Sequence, residues 1–179
     1  MLNNFRNAAR CVRRGGVIAY PTEAVFGLGC DPRNRRAVYK LLRIKRRTAN
    51  KGLIVIDAAL AQLTPYVRTV PPQARASWPG PHTWLLDARR TVPFWLRGRH
   101  KSLAVRVTAH RVAAALCHAA GMALVSTSAN RSNTRPARNA RDVARRFGHA
   151  LDYIVPGRVN LRARPTPITD ARSGAKVRI

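Results

Sequence analysis

Three places in this sequence gather cations and hydroxyls at spacings that could do chemistry. The run Lys45-Arg46-Arg47-Thr48-Ala49-Asn50-Lys51 places four cations in seven residues. Arg offers planar forks to phosphate and Lys a point charge, so the run suits a di- or triphosphate; a solvated basic loop is the competing reading. Ser126-Thr127-Ser128-Ala129-Asn130 follows a short apolar run. If that strand continues, Ser126 and Ser128 project to one face at its carboxyl end, where α/β sheets meet ligands. A turn that satisfies its own backbone would need the same residues. Arg106 interrupts the apolar run 102–107, and a guanidinium there is costly to bury without an anion.

Other chemistries are absent. No Gly-x-x-x-x-Gly-Lys-Ser/Thr loop occurs, and Gly27-Leu28-Gly29 lacks the third glycine of a dinucleotide fingerprint. The histidines at 82, 100, 110, 118 and 149 have no metal-ligand spacing, and Cys11, Cys30 and Cys117 form no C-x-x-C pair to complete one. There is no Gly-x-Ser-x-Gly elbow. Seven carboxylates in all, with Glu23 the sole glutamate, make paired-acid catalysis a poor fit.

The elements that must position these groups read as strands alternating with helices. A helix over 3–14 stops at Gly15-Gly16, and a buried strand over 17–20 ends at Pro21. A glycine-containing loop spans 22–32. Asn34 caps a helix with Val38, Leu41, Leu42 and Ile44 on its apolar face. Strands follow at 53–56, 83–86, 102–107 and 123–125, with a short helix over 58–63 and an apolar helix over 111–120. Pro71-Pro72 and 78–81 read as punctuation. Asn139 to Asp142 resembles a capping box for a helix to Phe147. Short strands at 153–155, 168–170 and 176–179 complete the pattern, and 131–138 reads as a mobile loop. The order predicts one domain over 1–179, an α/β fold with a twisted mixed sheet and flanking helices.

The 179 residues suffice for one core without disulfides or metal. Lys plus Arg number 34 against seven Asp plus Glu, a net charge of +27, and 29 of the 34 are Arg. Such a field attracts polyanions, although drift toward arginine would produce the same excess. The sparse cysteines, the lack of a signal-peptide core and the absence of any long apolar span predict a cytoplasmic protein with no membrane partner.

The segment Tyr20-Pro-Thr-Glu-Ala-Val-Phe-Gly-Leu-Gly-Cys-Asp31, taken with 45–53, 78–83, 102–107 and 126–130, closely resembles the YrdC-like family, in particular its short single-domain threonylcarbamoyl-AMP synthases. The likeness runs in order from about Asn7 to Ile179. Thr48 stands where the family's K-x-R-P motif has proline, Ala24 replaces the second threonine of P-T-E-T, Ile56 sits where longer relatives carry histidine, and Asn133 interrupts S-A-N-x-S-G.

The resemblance implies a mixed sheet around a basic concavity and a nucleotidyl transfer. L-threonine and bicarbonate form a carbamate that attacks the α-phosphate of ATP, and pyrophosphate leaves. Partners of the TsaD/TsaB/TsaE type then carry the threonylcarbamoyl group to tRNA. By the same likeness Lys45, Arg47 and Lys51 bind the phosphates and act in catalysis. Ser102, Ser128, Asn130, Arg135 and Arg178 lie on the nucleotide side. Arg106 pairs with the threonine carboxylate, with Thr22, Ser126 and Thr166 beside it. Mg2+ is expected on the phosphates, with no protein ligand named.

Two rivals remain. One is a non-catalytic module holding double-stranded RNA, tRNA or rRNA, favoured equally by the charge but needing spare stacking aromatics. The other is the same nucleotide chemistry with another carbamoyl acceptor.

Overall fold

A computed structural model describes residues 2–163 and 165–177. Nine strands form one mixed sheet in the order β7-β1-β2-β6-β3-β5-β4-β8-β9. They are β1 (Ile18–Pro21), β2 (Phe26–Gly29), β3 (Ile54–Asp57), β4 (Thr83–Asp87), β5 (Ser102–Val107), β6 (Leu124–Ser128), β7 (Tyr153–Ile154), β8 (Ile168–Asp170) and β9 (Lys176–Val177). The helices are α1 (Leu2–Arg13), α2 (Arg35–Lys45), α3 (Pro72–Ala76), α4 (Phe94–Arg97), α5 (Arg111–Ala120) and α6 (Ala140–Phe147). The α/β class, the twisted mixed sheet and its flanking helices are as the sequence predicts.

Strand alternation sorts the core into two layers. Val17, Ala19, Val55, Val105 and Val125 join the residues of α2 and α6 on one face. Ile18, Tyr20, Ile56 and Leu124 join those of α1 and α5 on the other. In β5, Leu103, Val105 and Val107 belong to the first layer, so Arg106 points to the second face. Parallel pairing with β3 sets Arg106 beside Ile56.

The helix signals hold in physical detail. The Asn34 side chain accepts from the Ala37 amide at 3.1 Å, and Asn139 accepts from that of Asp142 at 2.8 Å. Gly121 ends α5 in the left-handed region at φ 67°.

Three readings are corrected. The stretch 22–32 is not all loop, because Phe26–Gly29 is a buried strand pairing with β1 on one side and β6 on the other. Its glycines mark close packing: a Cβ on Gly29 would lie 2.7 Å from the Val125 carbonyl oxygen and 2.8 Å from the Tyr20 ring. Pro71-Pro72 starts a short helix rather than merely breaking the chain, consistent with a proline's preset φ at a helix start. The helix expected over 58–63 is a single 3-10 turn at Leu60–Gln62. Among the described residues no helix is long and apolar enough to cross a membrane, and Cys11, Cys30 and Cys117 are free thiols.

Candidate active site

A cavity of about 580 Å³ opens on the Arg106 face of the sheet. The turn between β1 and β2 (Thr22 to Val25) forms one side, the end of β6 (Ser126 to Ser128) the floor, and Pro165 to Ile168 with β9 the far wall. A smaller pocket of about 120 Å³, lined by Lys51, Ser102 and Arg97 among others, adjoins it. Arg47, Ile54, Thr127 and Val177 line both, so the two form one groove with a wide and a narrow end.

At the wide end Arg106 is 4% exposed. One terminal nitrogen donates to the Thr166 hydroxyl at 2.7 Å, and the other lies 3.6 Å from a Glu23 carboxylate oxygen, an ion pair but not a hydrogen bond. Its Nε is buried with no hydrogen-bond partner among the described residues. The guanidinium thus lines the cavity without all of its donors being hydrogen-bonded among the described residues. Thr22 lines the same end, but its hydroxyl donates to the Val25 carbonyl at 2.7 Å and fixes the turn that carries Glu23. Ser126 is buried at the floor.

The predicted extension of the β6 strand is present. The ladder runs Gly27↔Ser128 and Ile54↔Ser126, so the hydroxyls stand at its carboxyl end between β2 and β3. Beyond it the chain turns under Lys45, the last residue of α2, which is 2% exposed. The Lys45 ammonium donates to the Ser128 carbonyl, to the Asn130 carbonyl at 2.9 Å and to Asn130 Oδ1 at 3.2 Å. The Ser128 hydroxyl also donates to Asn130 Oδ1 at 2.5 Å. Asn130 Nδ2 donates to the carbonyls of Arg131 and Thr134 at 3.0 and 2.8 Å. Burial, and then the neighbouring Arg47 charge, lower the Lys45 ammonium to about 7.

Arg47 arches over the next loop, donating to the Gly52 carbonyl at 2.9 Å, and burial lowers its guanidinium too. Its Nε is buried and unpartnered among the described residues.

The structure thus brings Thr22, Arg47, Arg106, Ser126, Ser128 and Thr166 to the wide cavity and Lys51 and Ser102 to the narrow one. Lys45 and Asn130 line neither and together build the turn beneath Ser128. Arg135 lines a separate concavity next to Arg146, which donates to the Arg135 carbonyl at 2.6 Å. Arg178 lies outside the described residues. The loop 131–138, read as mobile, is tied down where Ser132 N donates to the Lys45 carbonyl at 2.9 Å. Among the described residues no three His, Cys, Asp or Glu side chains converge as metal ligands.

Residue-type reasoning passed over Glu23 and Lys176, both in the cavity wall. For Glu23 the signal was available: a lone glutamate one residue from Thr22, in a chain where Arg106 needed an anion.

Comparison with known proteins agrees with this architecture. The Sua5/YciO/YrdC family model, described as telomere recombination, matches residues 10–179. The chain belongs to the Sua5/YciO/YrdC family. It is 56% identical over 177 residues to a protein of Halorhodospira halophila named threonylcarbamoyl-AMP synthase, covering 97% of this chain and 93% of that one. A protein of the same name from Nitrosococcus oceani is 53% identical over 177 residues, covering 97% and 96%. Among solved structures, P. abyssi Sua5 complexed with L-threonine superposes with a TM-score of 0.91 at 29% identity. That match covers 98% of this chain and 53% of the longer Sua5 chain.

Proposed function

We propose that this family member is a threonylcarbamoyl-AMP synthase, making threonylcarbamoyl-AMP and pyrophosphate from L-threonine, bicarbonate and ATP for tRNA modification in the cytoplasm. The observation that carries the reading is Arg106: a nearly buried guanidinium with unused donors, facing a cavity large enough for a small ligand and opening toward the Arg47–Lys51 loop. That pairing of a carboxylate receptor with a phosphate receptor fits an acid and a nucleotide bound end to end. The names of the curated relatives and the threonine bound to the archaeal structure support it.

In this reading the carboxylate of L-threonine lies on Arg106, with Thr166 and Ser126 beside it. Bicarbonate joins the amine to give a carbamate. A carbamate oxygen forms a bond to the α-phosphorus of ATP, the bond from that phosphorus to the bridging oxygen breaks, and the electron pair departs on pyrophosphate. Arg47 and Lys51 neutralise the charge that builds on the leaving phosphates, a role worth several kcal/mol when donors are fixed in advance. Ser102 and the Ser128–Asn130 turn take the nucleoside side, with Lys45 holding that turn. A Mg2+ bound with the triphosphate would add to the neutralisation that Arg47 and Lys51 supply. The group then passes to tRNA through partner proteins.

The test is pyrophosphate release from ATP by the purified chain, with and without L-threonine and bicarbonate. Release that requires both is the expected result. No release from a protein that still binds RNA would replace the enzyme by an RNA-binding module.

A further inference from the structure

We propose that Glu23 receives the α-ammonium of L-threonine and accepts a proton from it, freeing the amine to attack bicarbonate. The inference rests on the synthase reading above.

The cavity has a charge problem that only one residue addresses. Its cationic lining side chains are Arg47, Arg106 and Lys176, and among the described residues Glu23 is the only acidic one. A zwitterionic amino acid whose carboxylate is drawn to Arg106 brings an ammonium into the same field, where cations repel it. Carboxylate and ammonium hang from a single carbon. Glu23, with an oxygen 3.6 Å from Arg106, stands within reach of an ammonium on that carbon.

Glu23 is free to take it. Its contact with Arg106 is too long for a hydrogen bond. The residue is held by its backbone, whose carbonyl accepts from the Asn160 amide at 3.1 Å, while its side chain stays partly exposed to the cavity. The other titratable groups near it are engaged or unsuited. Tyr20 is fully buried in β1, and burial raises its phenol far above its ordinary value. The His110 ring caps α5 by accepting from the Ala113 amide at 3.4 Å, and burial lowers its pKa. Arg47, Arg106 and Lys176 are cations.

The step balances without a further reagent. One ammonium proton moves to the Glu23 carboxylate, leaving a neutral amine. The amine nitrogen forms a bond to the bicarbonate carbon, the carbon–hydroxyl bond breaks, and the hydroxide leaves as water with a second nitrogen proton. Carbamate remains, and Glu23 returns its proton to solvent.

Glu23→Gln, which keeps the shape and removes the charge, tests this in two directions. Forward, pyrophosphate release should lose about 10²-fold or more in kcat/KM for threonine near pH 7. That deficit should narrow several-fold toward about pH 9, as free amine accumulates in solution. In reverse, ATP formation from threonylcarbamoyl-AMP and pyrophosphate needs no ammonium deprotonated, so it should stay within about threefold of the parent. Glu23→Asp should recover part of the forward loss. A deficit constant with pH, or an equal loss in the reverse direction, would reduce Glu23 to a positioning residue for Arg106 and overturn the proposal. A parent protein inactive in both directions would instead overturn the synthase reading itself.

Discussion

The cations of the groove are held in two different ways. Where the two ends meet, Arg47 rests on the main-chain carbonyl of Gly52, and Lys45, behind the groove, on those of Ser128 and Asn130. At the wide end Arg106 rests on one hydroxyl and one distant carboxylate and, like Arg47, keeps a buried N–H with no partner among the described residues. Carbonyls are half-strength anions that leave a cation aimed and still hungry for phosphate, and a loop can supply them cheaply in sequence terms. A nearly buried guanidinium on a central strand demands a rigid frame, here provided by β3 and β4 on either side of β5. A site for a phosphate chain can thus be built from a loop, whereas a site that must orient one small carboxylate is built on the sheet.

That contrast can be broken at three points. The largest effect belongs to Arg106→Ala, which removes a fixed charge and leaves Glu23 unpaired. It should lower kcat/KM for threonine about 10³-fold while ATP affinity changes little, and threonine-saturation kinetics at fixed ATP would reveal an equal loss in both if the two ends were not separate. Arg47→Ala should cost about 10² in turnover with the fold intact. Activity within a factor of two of the parent would remove it from the phosphate end.

The smallest effect concerns Lys45 and is read in stability. Its ammonium ionises near 7 in the folded chain against an ordinary value of 10.5. Below the lower value both states carry the proton and the burial penalty is complete. Between the two values the unfolded chain binds more protons, so stability rises with pH. The stability of the parent to urea should therefore gain on that of Lys45→Met as pH rises through that window. Parallel midpoints would show that the three oxygen acceptors outweigh burial and keep Lys45 charged.

Much of this was legible in residue order because local chemistry agreed with the fold. β5 and α5 have the bounds that their apolar runs and Gly121 mark, and Asn34 and Asn139 cap the helices they precede. Arg106 announced itself as a charge in an apolar strand. What escaped was set by tertiary contact. Gly29 looks like a loop residue until the Val125 carbonyl and the Tyr20 ring press against it. The contact of Lys45 with the Ser128–Asn130 turn could not be read from the basic run, because only the fold brings residues 83 and 85 positions apart into hydrogen-bond reach. Arg135 carries the charge a nucleotide would want, yet the chain's path sets it beside Arg146.

The strand order has a consequence for how the molecule is made. β1 and β2 form a hairpin early in the chain, but their outer neighbours are β7 and β6, more than 95 residues later. Thr22 and Lys176 close the same cavity from nearly opposite ends of the sequence. No nascent fragment that stops short of β6 can hold any version of the site, and pairing at such separations places folding toward the slower part of the range for domains of this size. Until then the hairpin's open edges, in a chain with this much arginine, are exposed beside the ribosome's own RNA.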